Sequence, residues 1–218
     1  MADDLLFVYS SPGPVDVAEF NDWYDNEHVP NRLAVPGFGA VARFRAADSR
    51  SPDWLATYQI EPGTLDTPAY KALWETQSER EKRIMSSVAT LDRWLYSPVY
   101  DSGYVNGALP GPAPVLMPVP MSMPPEHVDD MEAWYAQEHI PMLLAVPGWR
   151  RARRYVLRPG SPGSGDGPTY LSLHEIDSHK AFETPEYKAA ISTPWRNRIV
   201  SVAIGRERRV FDLHRSFG

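Results

Sequence analysis

The chain of 218 residues contains no cysteine. Disulfide bonds, thiolate metal sites and a cysteine nucleophile are therefore excluded, and stability must come from packing. Long hydrophobic runs are also missing, because no stretch approaches the roughly 20 apolar residues of a membrane helix. The apolar run at residues 5–9 follows two aspartates and is too short for the core of a signal peptide. We therefore expect a soluble, cytoplasmic protein with no membrane partner.

The chain also lacks an excess of basic over acidic residues. The chain has 22 Lys and Arg against 28 Asp and Glu, a net charge of -6, whereas proteins that neutralise nucleic-acid phosphates carry a basic excess. The patterns H-E-x-x-H, G-x-G-x-x-G, the P-loop and G-x-S-x-G are all absent. Zinc hydrolysis, dinucleotide binding, phosphoryl transfer and serine hydrolysis therefore have no signature. We expect neither a nucleic-acid partner nor a metal site.

An internal repeat organises what is present. Residues Trp23 to Phe38 align with Trp134 to Trp149 with 10 identities in 16 positions, which indicates a duplication. The repeat predicts two similar halves, residues 1–105 and 115–218, joined by a Pro/Gly-rich linker at 106–114.

Hydrophobic periodicity within the first half predicts the order βαββαβ. The predicted strands cover residues 5–10, 39–46, 53–60 and 89–100. One predicted helix carries five residues on one face, namely Phe20, Trp23, Tyr24, Glu27 and His28. A second begins at Asp66-Thr67-Pro68 with Tyr70 and Trp74 on its buried side. A further stretch, Pro159 to Pro168, is predicted as a surface loop because it consists of Gly, Ser, Pro and Asp.

This order is typical of a ferredoxin-like unit, an antiparallel sheet with both helices on one face. The other sheet face is bare and must be covered, which two linked copies can do for each other. The expected fold class is α+β, with two ferredoxin-like βαββαβ units packed as a pseudo-dimeric α+β barrel. The protein would be a monomer with pseudo-twofold symmetry or a homodimer.

A helix ending in W-Y-x-x-E-H-x-P, then a turn ending in P-G-F or P-G-W and a strand, occurs in both halves. This pattern resembles the EthD-like branch of the dimeric α+β barrel superfamily, in a tandem-fused form. The resemblance implies the barrel fold over nearly the whole chain. It implies the reaction only broadly, since that superfamily includes decarboxylases and cyclases of aromatic polyketides, cofactor-free anthrone-type oxygenases, hydroxynitrile lyases, haem enzymes and members with no known activity.

The motif residues are the candidates for chemistry. Histidine has the side-chain pKa nearest neutrality, so His28 and His139 are the candidate proton-transfer residues. Tyr24 and Tyr135 lie one helical turn earlier and could donate to a carbonyl or phenolate oxygen in the same pocket. In the structural alternative, the histidines bond free carbonyls at a helix end and the aromatic residues are core.

Four further motif residues are assigned to substrate binding: Trp23, Glu27, Trp134 and Glu138. The two glutamates are adjacent to the histidines and rotated by about 100° around the helix axis. They could therefore orient other groups on neighbouring elements instead of touching the substrate atom that the histidine touches.

The two halves differ in charge. Residues 1–105 hold 9 basic and 16 acidic side chains, and residues 106–218 hold 13 and 12. Four arginines lie on the strand after the second motif, and alternation places Arg151 and Arg153 on one face. Arginine pairs bidentately with carboxylates, so these two could bind an anionic substrate in the second half; alternatively they lie on a solvated face. His174, which replaces Tyr58, is assigned to the same pocket.

These observations favour a cofactor-independent enzyme acting on an aromatic or polyketide-like small molecule. Decarboxylation, dehydration or cyclisation is expected because each needs only proton transfers by His and Tyr. A cofactor-free oxygenase and a ligand-binding or stress-associated protein without activity are the alternatives. Haem held by His28 or His139 is a further, less favoured expectation. The dense arginines make the second half the expected working half.

Overall fold

The computed structural model describes residues 3–161 and 167–218. They divide into two compact units, one of residues 3–97, 158–161 and 214–218, the other of residues 98–157 and 167–213. The predicted boundaries at 105 and 115 stay a prediction. Within the loop predicted at 159–168, residues 162–166 lie outside the described part of the chain.

The first half of the sequence has the predicted order of strands and helices. Its strands are β1 (Asp4–Ser11), β2 (Phe38–Ala46), β3 (Trp54–Ile60) and β4 (Thr90–Asp101). Its helices are α1 (Val17–Trp23), a π-helical turn (Tyr24–His28), α2 (Val29–Leu33), a 3-10 turn (Thr64–Asp66), α3 (Pro68–Glu75) and α4 (Glu79–Ser87). Strand β1 pairs antiparallel with β3 and β4, and β2 pairs with β3.

The second half repeats this order. Its strands are β5 (Val115–Met121), β6 (Trp149–Leu157), β7 (Tyr170–Ile176) and β8 (Phe211–Phe217). Its helices are a 3-10 turn (Pro125–His127), α5 (Val128–Trp134), a π-helical turn (Tyr135–His139), α6 (Ile140–Leu144), a 3-10 turn (His179–Glu183), α7 (Pro185–Ala190) and α8 (Pro194–Val202). Strand β5 pairs with β7 and β8, and β6 pairs with β7.

The strands form a closed barrel in the order β1-β3-β2-β8-β5-β7-β6-β4. The predicted fold class, two ferredoxin-like units as a pseudo-dimeric α+β barrel, is therefore confirmed. In the part of the chain that the structure describes, no helix has the length and apolar character needed to cross a membrane.

Hydroxyl side chains cap the N-termini of helices α3, α4 and α8. The Thr67 hydroxyl accepts from the Tyr70 amide at the start of α3, which confirms the predicted Asp66-Thr67-Pro68 start. Helices α4 and α8 begin in the same way, at Ser78 and Thr193. Each cap satisfies a backbone N–H that has no partner within the helix, and is worth about 1 kcal/mol.

The second predicted helix differs from the prediction in two ways. It ends at Glu75, and a separate helix, α4, begins after the Ser78 cap. Trp74, predicted on the buried side, is 42% exposed. The reason is that α3 presents only Tyr70 to the core, while Trp74 packs edge-on against Tyr70 and lines the mouth of a cavity.

The repeated motif forms a π-helical turn in both halves. The Val29 N–H bonds the Tyr24 carbonyl, five residues back, and Pro30, which lacks an N–H, cannot make the α-helical bond of its own turn. Because the turn is wider than an α-helical turn, the side chains of residues 24–28 do not follow the predicted α-helical positions. The turn brings the His28 ring beside both Trp23 and Tyr24, with each pair of ring centroids 4.7 Å apart.

The predicted linker at 106–114 is anchored within the second unit. Asn106 Nδ2 donates to the carbonyls of Leu144 and Trp149, at 3.0 and 2.8 Å. Arg150 Nη2 donates to the Leu109 carbonyl at 2.8 Å. These bonds hold the segment against the loop that follows the second motif.

Candidate functional site

The first unit contains a cavity between its sheet and its helices, with about 530 Å³ of unfilled space including the mouth. Nearly half of its described lining residues are aromatic, namely Phe20, Trp23, Tyr24, Phe38, Tyr58, Tyr70 and Trp74. The basic members are His28, Arg32 and Arg93. The aromatic walls suit a flat apolar ligand.

Two tyrosine hydroxyls meet inside this cavity. Tyr58 OH donates to Tyr24 OH at 2.8 Å, and both rings are buried. The Arg43 guanidinium lies 4.0 Å from the centre of the Tyr24 ring and pairs with Asp25. Burial raises the pKa of Tyr24 and raises that of Tyr58 well above its usual value. Both hydroxyls are therefore protonated, and because Tyr58 OH donates to Tyr24 OH, the Tyr24 hydroxyl is the one left to donate to a ligand.

His28 lies against a buried ion pair. Arg32 Nη1 donates to Glu81 Oε1 at 2.9 Å, and His28 Nδ1 lies 3.3 Å from the same oxygen without hydrogen-bond alignment. Burial lowers the pKa of His28 to about 3, even though Glu81 favours the protonated ring. The pKa of Glu81 is itself lowered, because His28 and Arg32 outweigh the opposing effect of burial. His28 is thus a neutral imidazole beside a carboxylate.

The second unit has the corresponding cavity, with about 380 Å³ of unfilled space including the mouth. His139 and His174 line it and are only 9% and 1% exposed. Burial lowers the pKa of His174 to about 3 and that of His139 well below its usual value, with the Ala190 carbonyl opposing the shift of His139 in part. Their Nδ1 atoms have no hydrogen-bond partner in the described chain.

Three arginines also line this second cavity: Arg196, Arg206 and Arg208. Arg196 occupies the helix position of Glu81, since each donates its amide to the hydroxyl of the N-cap residue three positions earlier. Arg206 aligns with Leu91 of the first cavity. The carboxylate beside the first histidine is therefore replaced by a guanidinium beside the second cavity's histidine.

The strand register confirms that His174 replaces Tyr58. Tyr58 pairs with Leu6 on β1, and His174 pairs with Met117, the corresponding residue of β5. The motif tyrosine of the second half, Tyr135, therefore lacks the tyrosine partner of its counterpart, although Arg154 lies 4.0 Å from its ring centre just as Arg43 does in the first half.

The two motif glutamates contact cap residues of the following helices. Ser78, the cap of α4, donates its hydroxyl to Glu27. Thr193 donates to Glu138 at 2.6 Å, and Trp134 Nε1 donates to the same oxygen at 3.2 Å. These contacts match the expectation that the glutamates orient neighbouring elements; direct substrate binding by Glu27 or Glu138 stays a prediction.

Arg151 and Arg153 share a strand face as predicted, but both are paired with acids. Arg151 Nε donates to Asp101 at 2.8 Å, and Arg153 Nη2 lies 2.7 Å from Glu175. Neither lines the second cavity. The expectation that this pair binds a substrate carboxylate there is therefore not supported, because the chain supplies carboxylates of its own.

Sequence reasoning missed the residues that distinguish the two cavities. Glu81 had one available signal, the pattern Ser78-x-x-Glu81 that begins a helix, although its carboxylate points to Arg32 and not back to the cap. Arg196 and Arg206 lie outside every motif. Two other histidines contact carboxylates, since His179 lies 2.6 Å from Asp212 and His214 lies 2.9 Å from Asp25.

The donor sets do not suit a metal or a haem. Among the described residues, no three His, Asp or Glu side chains converge on a point where an ion could bind. His139 is in addition stacked on Trp134, with ring centroids 4.3 Å apart. We therefore derive no step through haem.

Similar proteins are found by fold. No protein-family model and no curated protein matches the chain. An anthrone oxidase-like protein superposes with a TM-score of 0.68 at 15% identity, over 99% of this chain and 92% of that one. A chlorite dismutase variant of Candidatus Nitrospira defluvii gives 0.56 at 14%, over 97% and 90%. A monooxygenase-like protein of Listeria innocua gives 0.51 at 11%, over 100% and 96%. At these identities the likeness shows the α+β barrel fold alone.

Proposed function

We propose that the protein is a cofactor-independent enzyme of aromatic, polyketide-like small molecules, with the first cavity as its reaction site. The observation that carries the proposal is a neutral, buried His28 beside Glu81, in an aromatic cavity that also holds the Tyr24–Tyr58 hydroxyl pair. This choice moves the working site from the second half, which the sequence favoured, to the first.

Each residue has a role that its contacts support. The aromatic walls stack on a flat ring system, and the tyrosine pair donates to a substrate carbonyl or phenolic oxygen. His28 Nδ1 faces Glu81, so Nε2 is the atom left to remove a proton from the substrate. Glu81 then stabilises the imidazolium that forms, while Arg32 prevents Glu81 from taking the proton itself.

Among the possible reactions of this enzyme, oxygenation is the better supported one. Its supports are the similar folds of an anthrone oxidase-like and a monooxygenase-like protein. In this reaction His28 removes a proton from an activated ring methylene, and the resulting carbanion, stabilised as an enolate held by the tyrosines, reacts with O₂. The methylene loses two hydrogens and becomes a carbonyl, and the second oxygen atom leaves as water. Decarboxylation or cyclisation would use the same proton acceptor without O₂.

Membership of the EthD-like branch and action on a single small-molecule substrate are part of the same proposal. Each of the two cavities is lined by residues of one chain, so catalysis would need no second copy.

The test is a stoichiometry measurement with anthrone, a tricyclic ketone with an acidic methylene. Purified full-length protein should consume one O₂ per anthrone converted to the quinone, without added metal or cofactor, and Tyr24→Phe should slow turnover about 10-fold or more. CO₂ release from an aromatic acid without O₂ uptake would instead show the lyase. If neither class of substrate reacts, and anthrone does not bind, the enzyme proposal fails.

A further inference from the structure

The second cavity carries positive charge that its own lining does not balance. Arg196, Arg206 and Arg208 contribute guanidinium groups, and none of the described residues that line it is an Asp or Glu. We propose that this cavity is a binding site for a small organic anion, a carboxylate joined to an aromatic or other apolar body.

The charge comes from substitutions at two corresponding positions. Where the first cavity has the carboxylate of Glu81 close by and the apolar Leu91 in its wall, the second has Arg196 and Arg206. A third position is arginine in both, Arg93 and Arg208. The first cavity therefore has one more acidic residue beside it, and the second has two more arginines in its lining. The first suits acid-base chemistry, and the second suits the binding of an anion.

The new arginines have donors to offer. Arg206 makes no hydrogen bond or ion pair with a described residue, and Arg196 makes only a long contact, 3.4 Å to Asn197 Oδ1. Burial lowers the pKa of Arg206, and repulsion by Arg196 and Arg208 lowers it further. A bound carboxylate would relieve that repulsion and accept paired N–H bonds from a guanidinium.

Two buried rings add unpaired polar atoms. The Nδ1 atoms of His139 and His174 are buried without a hydrogen-bond partner in the described chain. Buried polar groups are normally paired, so these atoms indicate a ligand-facing surface that is incomplete without an occupant. A neutral imidazole has one N–H; that of His139 faces the Ala190 carbonyl, whereas His174 can donate its N–H to an anion.

The rest of the lining determines the body of the ligand. Met117, Val119, Leu143 and Ile191 form an apolar wall, which inorganic phosphate would leave uncovered. The occupant must be small, because the unfilled space of about 380 Å³ includes the open mouth and the enclosed part is only a fraction of it. An arene carboxylate satisfies both conditions. The inference concerns a cavity separate from the proposed reaction site and does not depend on it.

Calorimetric titration of the full-length protein with benzoate tests the proposal, with benzyl alcohol as the neutral probe of equal shape. Benzoate should bind at least about 10-fold more tightly than benzyl alcohol. Arg206→Leu, which restores the residue of the first half, and Arg196→Gln should each weaken benzoate binding about 10-fold or more, the cost of losing a charge-assisted hydrogen bond. Arg206→Lys keeps the charge and should retain most of the affinity.

Two variants locate the bound anion. Arg198 lies on the same helix as Arg196 but is exposed and paired with Asp130. Arg198→Gln should therefore change the Kd for benzoate less than twofold. Arg93→Gln, the first-cavity counterpart of Arg208, should do the same. The proposal is overturned if benzyl alcohol binds as well as benzoate, if folded Arg206→Leu and Arg196→Gln proteins both keep the Kd within twofold, or if Arg93→Gln alone abolishes binding.

Discussion

The two halves of this chain have the same backbone devices and opposite charge beside their histidines. Each has a π-helical turn at W-Y-x-x-E-H, an arginine 4.0 Å from the motif tyrosine ring and a glutamate bonded to a helix cap. The first histidine lies near Glu81, whereas the second lies in a cavity with Arg196. The structural features of the motif are therefore the same in both halves. The corresponding residues Glu81 and Arg196, each three positions after a helix cap, differ in charge.

This difference separates structure from chemistry within one motif. Features present in both halves, such as Glu27 and Glu138, are explained by contacts that hold helices in place. Features present in one half, such as the Tyr24–Tyr58 pair or His174, change what the cavity can do. The following predictions test that separation, beginning with the largest expected effect.

The first prediction compares the two histidines. His28→Gln should lower kcat/KM for anthrone by about 10²- to 10⁴-fold, the usual contribution of a general base. His139→Gln should change kcat/KM less than threefold, because none of the described residues that line its cavity is an Asp or Glu. Steady-state oxygen uptake measures both, with thermal unfolding as the check on folding. Equal losses in the two variants would show that the halves have not separated in function.

The second prediction concerns Glu81, which is 2% exposed and pairs with Arg32. Glu81→Gln leaves the Arg32 charge buried without its partner, so the free energy of unfolding should fall by about 3–5 kcal/mol. Glu79→Gln is the matched control, since Glu79 lies on the same helix and its pair with Lys82 is exposed; its cost should be under about 1 kcal/mol. Urea unfolding distinguishes them, and similar costs would contradict the buried-pair explanation.

The third prediction compares the arginines under the motif tyrosines. Arg43→Gln leaves the buried Asp25 with the half-exposed Arg215, 3.7 Å away, as its remaining arginine partner, and should cost about 2–3 kcal/mol of unfolding free energy. Arg154→Gln should cost about 1 kcal/mol, because its partner Glu132 is 44% exposed and returns to water. Urea unfolding of both variants at one pH gives the comparison. A larger loss for Arg154→Gln would mean that the contact with the tyrosine ring, not the ion pair, dominates.

Much of the fold could be predicted from the sequence because it depends on local and repeated patterns. The identity of Trp23–Phe38 with Trp134–Trp149 predicts the duplication, and alternation predicts the strands. The candidate cavities could be predicted only in part. Arg32 and Glu81 meet from 49 residues apart, and Arg153 is neutralised by Glu175 on a neighbouring strand. Such pairings depend on register and on which side chains reach one another, which no single segment encodes.

The last prediction concerns His174 and has the smallest effect. Its pKa is about 3 in the fold and near 6.5 in the unfolded chain, so between these values the unfolded chain binds more protons and stability falls as the pH falls. His174→Phe should therefore reduce the loss of unfolding free energy between pH 6 and 4 by up to about 1.4 kcal/mol per pH unit. His179→Gln is the control, because that ring is half exposed beside Asp212 and stays in contact with water in the folded state. Urea unfolding at several pH values gives the slopes. An unchanged slope in His174→Phe would mean that His174 is accessible to protons in the folded protein, and that the second cavity is wetter than its burial indicates.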